Sequence, residues 1–297
     1  MEKKIKALFV GLNTIDLQFF VNQYPKSNTK TKAHHNEIST GGPAANAAIT
    51  AAHLGAEVTL ITPIGKHRLT SFLKGEIGSF GINLIDPIQD FNSNPVFASI
   101  ITDESNGERT IFSYMPPNST EHFIEKLNHD FSKYDIALFD GFYPVMSELI
   151  LKELNKHHIP TVFDGGSWKK GLDKILPYID IAVCSDDFYP SSCITKKEVF
   201  KTLKSFSVEK MAITQGEKPI LIYDNEKITE LPVVKQQDVK DTLGAGDIFH
   251  GAFCYFYAKS HNFNQALAQA SEVAGFSCKF TGTRSWMEHK NELNIAL

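Results

Sequence analysis

Apolar and polar positions alternate along this chain in two registers. Short apolar runs at Lys6 to Leu12, Glu57 to Thr62, Tyr134 to Asp140, Pro160 to Asp164, Ile179 to Cys184 and Met211 to Thr214 read as buried strands. Segments of helical period lie between the later ones, as at Val145 to His158. Strands that alternate with helices of this length predict βαβ units, hence a mostly parallel sheet covered on both faces, an α/β fold. Two segments break the pattern, at about residues 16–39 and 94–114. There the chain reads as paired strands, with PVFASIIT and RTIFSY joined across ESNGE, a hairpin connection containing Gly107. Both fall where a strand of the main sheet ends. The economical arrangement is one large domain over residues 1–297 with a small β-sheet lid built from the two insertions.

Aspartates and glycines cluster just after the predicted strands, at Asp140-Gly141, Asp164-Gly165-Gly166, Ser185-Asp186-Asp187 and Thr214-Gln215-Gly216. Ligands bind at the carboxyl ends of strands in open parallel sheets, so this is the expected working edge. Asp and Gly also end strands simply as turn formers.

Composition narrows the picture. The chain has 297 residues, 42% hydrophobic and 22% charged, with 30 basic and 34 acidic side chains and a net charge of −4. These values exclude disordered, collagen-like and disulfide-scaffold classes, and nothing marks a nucleic-acid or anionic-membrane binder. The four cysteines, Cys184, Cys193, Cys254 and Cys278, have no CxxC spacing. They read as thiols of a reducing compartment. The basic start MEKK leads into an apolar run that Asn13 and Asp16 soon interrupt, so it reads as a first strand and not as a signal peptide. No stretch approaches the roughly 20 apolar residues of a membrane span. A cytoplasmic protein is expected.

The most informative stretch is DTLGAGDIFHGAF, Asp241 to Phe253. Small residues lead into an apolar, aromatic helix whose first turn has unpaired N–H groups and about half a positive charge. Such a turn can hold phosphate without net protein charge. Asp247 lies in the same turn, where the helix field favours its ionised form and lets it take a proton from an attacking hydroxyl. A glycine loop entering a buried helix, with Asp247 as a first-turn acid, is the plainer reading of these residues alone. The second stretch is GGPAANAAITAAHLG, Gly41 to Gly55, with Pro43 at the first helical position. Asn46, one turn in, could serve a sugar hydroxyl pair with its amide or could be a polar residue on an Ala-rich core helix.

Together the two stretches resemble the PfkB family of carbohydrate kinases, the ribokinase-like enzymes, and the resemblance runs along nearly the whole chain. It implies a ribokinase-like three-layer core with a small β lid, ATP and Mg2+ as co-substrate and metal, and a homodimer formed through the lid. It implies Asp247 as the catalytic base and the amides of Gly244, Ala245, Gly246 and Asp247 as an anion hole for the transferring phosphoryl group. Asp16, Gly41, Gly42 and Asn46 would grip the sugar. Thr214 and Gly216 would begin the nucleotide loop, with Ala274, Cys278 and Gly282 flanking the adenine. The wording GGPAA, FHGA and GERTIFSY is most similar to the ketohexokinase-like and sulfofructose kinase-like branch. Arg109, on the proposed lid, would then reach an acidic sugar tail or remain a solvated strand residue.

The chain also departs from the family pattern. Where relatives carry NxxE it reads Ser185-Asp186-Asp187-Phe188, so magnesium would rest on ATP oxygens and water, assisted by Asp186 or Asp187. Lys66-His67-Arg68 replaces an acidic turn, and the loop after Gly216 lacks a second glycine. A monovalent cation, K+, is a further expectation near Asp241. The expected reaction is ATP-dependent transfer of the γ-phosphoryl group to a hydroxyl of a small carbohydrate, with a ketose one candidate. A nucleoside kinase is the runner-up, with Phe97, Phe112 and Tyr114 available to a base. A sugar-binding pseudokinase is a third reading, and the lack of GxGxxG after the first strand argues against a dinucleotide-dependent dehydrogenase.

Overall fold

The structure is a computed structural model and describes residues 3–105, 108–116, 129–224 and 226–293. Its larger sheet has nine strands: β1 (Lys6–Val10), β4 (Glu57–Ile61), β5 (Asn83–Ile85), β8 (Ile136–Phe139), β9 (Thr161–Gly165), β10 (Ile181–Ser185), β11 (Lys210–Gln215), β12 (Lys218–Asp224) and β13 (Lys227–Leu231). The order across the sheet is β13-β12-β11-β10-β9-β8-β1-β4-β5. Strands β5 through β11 in that order run parallel, and β12 and β13 add an antiparallel edge. The fold is therefore the expected α/β, ribokinase-like type with a mostly parallel central sheet.

Alternation along β1 shows how the layers form. Ala7 and Phe9 point into one buried cluster, with α1 (Pro43–Leu54), α2 (Thr70–Ser79), α6 (Ala245–Ser260) and α7 (Phe263–Ser277). Leu8 and Val10 point into a second cluster, with α3 (Pro144–Lys156), α4 (Leu172–Ile175) and α5 (Lys196–Ser205). Both faces of the sheet are thus dry, which explains why its strands read as continuous apolar runs. The first strand stops at Val10, short of the expected Leu12. Gly11 has no side chain because the Asp140 carboxyl fills that space, 2.2 Å from where a Cβ would stand. The Leu12 N–H then donates to Asp140 Oδ2 at 2.7 Å instead of extending the ladder.

The smaller sheet has four strands in the order β3-β2-β6-β7: β2 (Thr14–Val21), β3 (His35–Gly41), β6 (Phe97–Asp103) and β7 (Glu108–Tyr114). β2 pairs antiparallel with β3 and parallel with β6, and β6 pairs antiparallel with β7. Its strands coincide with the two segments that broke the α/β pattern. Gly107, expected in the hairpin connection, lies outside the described residues.

The hairpin of β12 and β13 was not anticipated. Its inward residues Ile220 and Ile222 are buried, but β13, KITEL, breaks alternation at Thr229-Glu230 and is exposed over its first four positions, so its pattern does not separate it from a loop.

Candidate active site

The two motif helices meet because their surfaces allow close approach. α1 is alanine-rich, and in α6 a Cβ at Gly251 would stand 2.2 Å from the Ala47 carbonyl oxygen. Backbone therefore packs on backbone, and the starts of the two helices converge. Asn46 Nδ2 donates to Asp247 Oδ2 at 2.7 Å across 201 residues of sequence. Asn46 Oδ1 accepts from Arg284 Nη2 at 2.7 Å, so both ends of the amide are engaged by protein.

Asp247 sits in the first turn of α6, behind Gly244 in the left-handed conformation at φ 69°. Substitution at Gly244 would strain that φ, and a Cβ would lie 2.8 Å from Thr283 Cγ2. The amide of Ala245 is committed to the Thr242 carbonyl at 3.2 Å, and that of Ile248 to Gly244. Among the described residues no protein acceptor meets the amides of Gly246 and Asp247, and a Cβ on Gly246 would face open space. Of the four amides expected to form an anion hole, Ala245's is therefore turned into the loop. The Asp247 carboxyl is pushed up to about 7 by burial first and by the nearby Asp164 charge, against the Asn46 hydrogen bond and the His250 charge. The expectation that the helix field keeps it ionised is corrected by this balance: desolvation outweighs the half charge of one helix end.

Asp16 projects from β2 against Gly41 of β3, where a Cβ would come 1.9 Å from Asp16 Oδ2. Only glycine leaves room for this carboxylate. Asp16 accepts from the Thr14 hydroxyl, and its carboxyl is raised by burial, with Thr14 and Arg284 pulling it back. Gly42, at φ 91°, caps α1 and lies against the Leu12 carbonyl. Asp16, Gly41, Gly42, Asn46 and Asp247 thus border one region.

Arg284 had no sequence signal, yet it ties this region together. Besides Asn46 it donates to the carbonyls of Thr40 at 3.0 Å and Thr283 at 3.2 Å. Burial lowers it to about 10, while Glu76, Asp16, Asp247 and Glu37 favour its charge.

Other expected positions lie around the same edge. Arg109 is exposed on β7, and its Nη1 donates to the Thr242 hydroxyl at 2.5 Å, which joins the small sheet to the loop before α6. Asp241 accepts from Gln18 Nε2, Gly282 N and Leu243 N, so its carboxylate staples the loop. Gly282, at φ 74°, is closed in by Asp241 and by Glu37. Thr214 is half-buried at the end of β11, and Gly216 is exposed at φ 63° with no atom near a Cβ. Ala274 and Cys278 are buried at the end of α7, where the Cys278 carbonyl accepts from Lys240 and Asp241. Asp186 pairs with Lys196 at 2.6 Å, which commits the carboxylate expected to assist magnesium. Among the described residues no three His, Cys, Asp or Glu side chains form a group that could hold a metal. None of the described helices is long and apolar enough to cross a membrane.

The family model of pfkB family carbohydrate kinases matches residues 4–290. The chain is 25% identical over 300 residues to a deoxyribokinase from Salmonella typhimurium, covering 93% of each chain. It is 24% identical over 289 residues to a nucleoside kinase from Methanocaldococcus jannaschii, covering 95% of this chain and 93% of that one. The structure of Arabidopsis thaliana ribokinase complexed with ribose and ATP superposes with a TM-score of 0.72 at 16% identity, covering 99% of this chain and 100% of that one.

Proposed function

The chain belongs to the pfkB family of carbohydrate kinases, ATP-dependent phosphotransferases, and from that premise we propose that it transfers the γ-phosphoryl group of ATP to a hydroxyl of a small sugar, with Asp247 as the general base. The observation that carries this reading is the start of α6. Two adjacent amides that meet no protein acceptor among the described residues stand at the start of a long helix, and a carboxyl held by Asn46 stands in the same turn. Free amides at a helix start suit an anion, and a fixed carboxylate beside them suits proton removal.

In the proposed step the sugar oxygen forms a bond to the γ-phosphorus as its proton passes to Asp247. The bridging P–O bond breaks and ADP leaves with that electron pair. Gly244 shapes the loop, and the amides of Gly246 and Asp247 receive the transferring group. Asp16, Gly41, Gly42 and Asn46 hold the sugar, with Arg109 at its outer side. Thr214, Gly216, Ala274, Cys278 and Gly282 form the nucleotide side. Mg2+ neutralises phosphate charge when it arrives with ATP. With Asp186 engaged by Lys196, acidic help to the metal would fall to Asp187. A K+ ion near Asp241 would depend on backbone carbonyls, since that carboxylate already takes three N–H donors.

The single-domain reading, with residues 16–39 and 94–114 as a lid, belongs to the same proposal. β7 is an edge strand carrying Ile111, Phe112 and Tyr114, 48%, 60% and 55% exposed. An exposed apolar edge favours a partner, which supports a homodimer through the lid. A cytoplasmic location accords with four unpaired cysteines.

Coupled ADP detection over ketoses, aldoses, sulfosugars and nucleosides tests the reading. Turnover with a sugar is expected. Preference for nucleosides, as the similarity to the archaeal nucleoside kinase allows, would move the assignment to the second reading. Sugar binding by calorimetry without phosphorylated product would overturn the kinase assignment in favour of a pseudokinase. Because a base must be unprotonated, kcat/KM is expected to rise with pH through about 7 and level above it. A profile already flat from pH 5.5 would contradict Asp247 as the base.

A further inference from the structure

A small cavity lies at the carboxyl edge of the large sheet, beside the small sheet. Its wall includes Asn13 after β1, Ile64 and His67 after β4, Tyr143 after β8, Val96 at the entry to β6 and Pro116 beyond β7. The small sheet is fastened at this point, since the Ile15 N–H of β2 donates to the Val96 carbonyl at 2.8 Å. The cavity measures about 10 Å³, room for one water-sized group.

Two polar atoms of its wall residues are buried without a partner among the described residues, Asn13 Oδ1 and His67 Nε2. Asn13 is 3% exposed. Its Nδ2 donates to the Thr40 hydroxyl and, at 3.2 Å, to the Gly41 carbonyl, which settles the orientation of the amide and leaves Oδ1 as an acceptor. The His67 ring is settled in the same way. Its Nδ1 accepts from the Leu69 N–H at 3.2 Å, so the ring proton belongs to Nε2, a donor. Burial lowers the His67 pKa, against the Asp86 charge, which accords with a ring protonated at one nitrogen.

A buried donor and a buried acceptor left unpaired are costly, and one cavity brings them together. Only a group that both accepts and donates serves the pair. A carbonyl would serve His67 alone and an ammonium Asn13 alone, whereas a hydroxyl serves both. Asn13 also adjoins the residues proposed to hold the sugar: it grips the strand end at Thr40 and Gly41, and a Cβ at Gly42 would stand 3.2 Å from its Cα.

We propose that Asn13 and His67 form a subsite for a non-reacting hydroxyl of the acceptor substrate, which makes His67 a specificity-determining residue. The inference rests on the placement of the sugar at Asp16, Gly41 and Gly42 and deepens that reading: the acceptor carries a free hydroxyl besides the one that is phosphorylated. It also gives the Lys66-His67-Arg68 turn, where the chain departs from the family pattern, a part in choosing the substrate.

The test is a deoxy-analogue scan by calorimetry. The probes are D-fructose, D-ribose and adenosine, each beside its monodeoxy analogues, with the wild type and with His67→Phe, which keeps a ring and removes the N–H. His67→Leu replaces that variant should it not fold. In the wild type one deoxy analogue of a bound probe is expected to bind about ten- to a hundredfold more weakly than its parent, and in the variant the same two are expected to bind within about threefold. Unchanged discrimination of every analogue in the variant would overturn the subsite. So would a wild type that binds a parent and all its analogues alike, the cavity then holding a water only. Affinity needs no turnover, so the two readings fail separately. Binding without phosphorylated product would count against the kinase assignment and leave the scan decisive for the subsite, whereas phosphoryl transfer with an unmoved scan would overturn the subsite and leave the kinase assignment standing. Binding of none of the three probes would overturn the sugar placement and the subsite together.

Discussion

Two helices reach this site, each entered through a glycine with positive φ, and their free N–H groups meet different fates. At the start of α1 the protein supplies its own anion: Asp140 Oδ2 accepts from Ala44 N at 3.2 Å and from Leu12 N at 2.7 Å. At the start of α6 the amides of Gly246 and Asp247 meet no protein acceptor among the described residues. The first helix end is filled and serves to fix geometry. The second is left open, and it is the one beside the proposed base. A helix dipole alone therefore does not mark an anion site. What matters is whether a carboxylate of the chain already occupies it.

This contrast can be broken from either side. Short of removing the base itself, the largest effect is expected from Gly41→Ala. Its methyl would overlap Asp16 Oδ2, so the carboxylate must swing away and the sugar KM is expected to rise about 100-fold while the KM for ATP stays within a few-fold. Steady-state kinetics with each substrate varied would check this, and an equal loss for ATP would blur the division between the two helices. Arg284→Gln comes next. It frees the carbonyl end of Asn46, and loss of a charged hydrogen bond of about 1.5–3 kcal/mol predicts a fall in kcat/KM of roughly ten- to a hundredfold. Wild-type kinetics in that variant would remove Arg284 from the account.

The smallest effect concerns the filled helix end. Burial pushes the Asp140 carboxyl up to about 6, above its unfolded value, so the folded state binds the proton more tightly. The associated stability is present below pH about 4 and is lost as pH rises through 6. Asp140→Asn is expected to lower stability by about 1 kcal/mol at pH 4.5, since the amide cannot accept from every donor that Asp140 serves. The gap to wild type should narrow by pH 7. Chemical denaturation at the two pH values measures it, and a gap that widens with pH would contradict the assigned direction.

Much of this was legible in the chain. The apolar runs placed the parallel strands, and the two interruptions placed the four strands of the small sheet, because burial on both faces and burial on one face leave different patterns. DTLGAGD and GGPAAN announced the two helix starts through residue types that backbone geometry demands. What stayed hidden was mostly contact between distant residues. Arg284 lies in GTRSW, a stretch without period or motif, and its role exists only because it reaches Asn46 across 238 positions. His250 reads in sequence as one more residue of an apolar helix, and only the fold sets Val183 and Asp164 beside it. The ionisation of Asp247 escapes a reading of the sequence for the same reason: the helix is visible there, but the desolvating surroundings and Asp164 are not.

The most direct measurement is single-turnover phosphoryl transfer by Asp247→Asn with the best sugar from the substrate screen, together with sugar affinity by calorimetry. The amide preserves the side chain's size and removes its ability to take a proton. The account predicts a transfer rate lower by about 1,000-fold, within the range for loss of a general base, with sugar affinity changed only a few-fold. Transfer at the wild-type rate would contradict it.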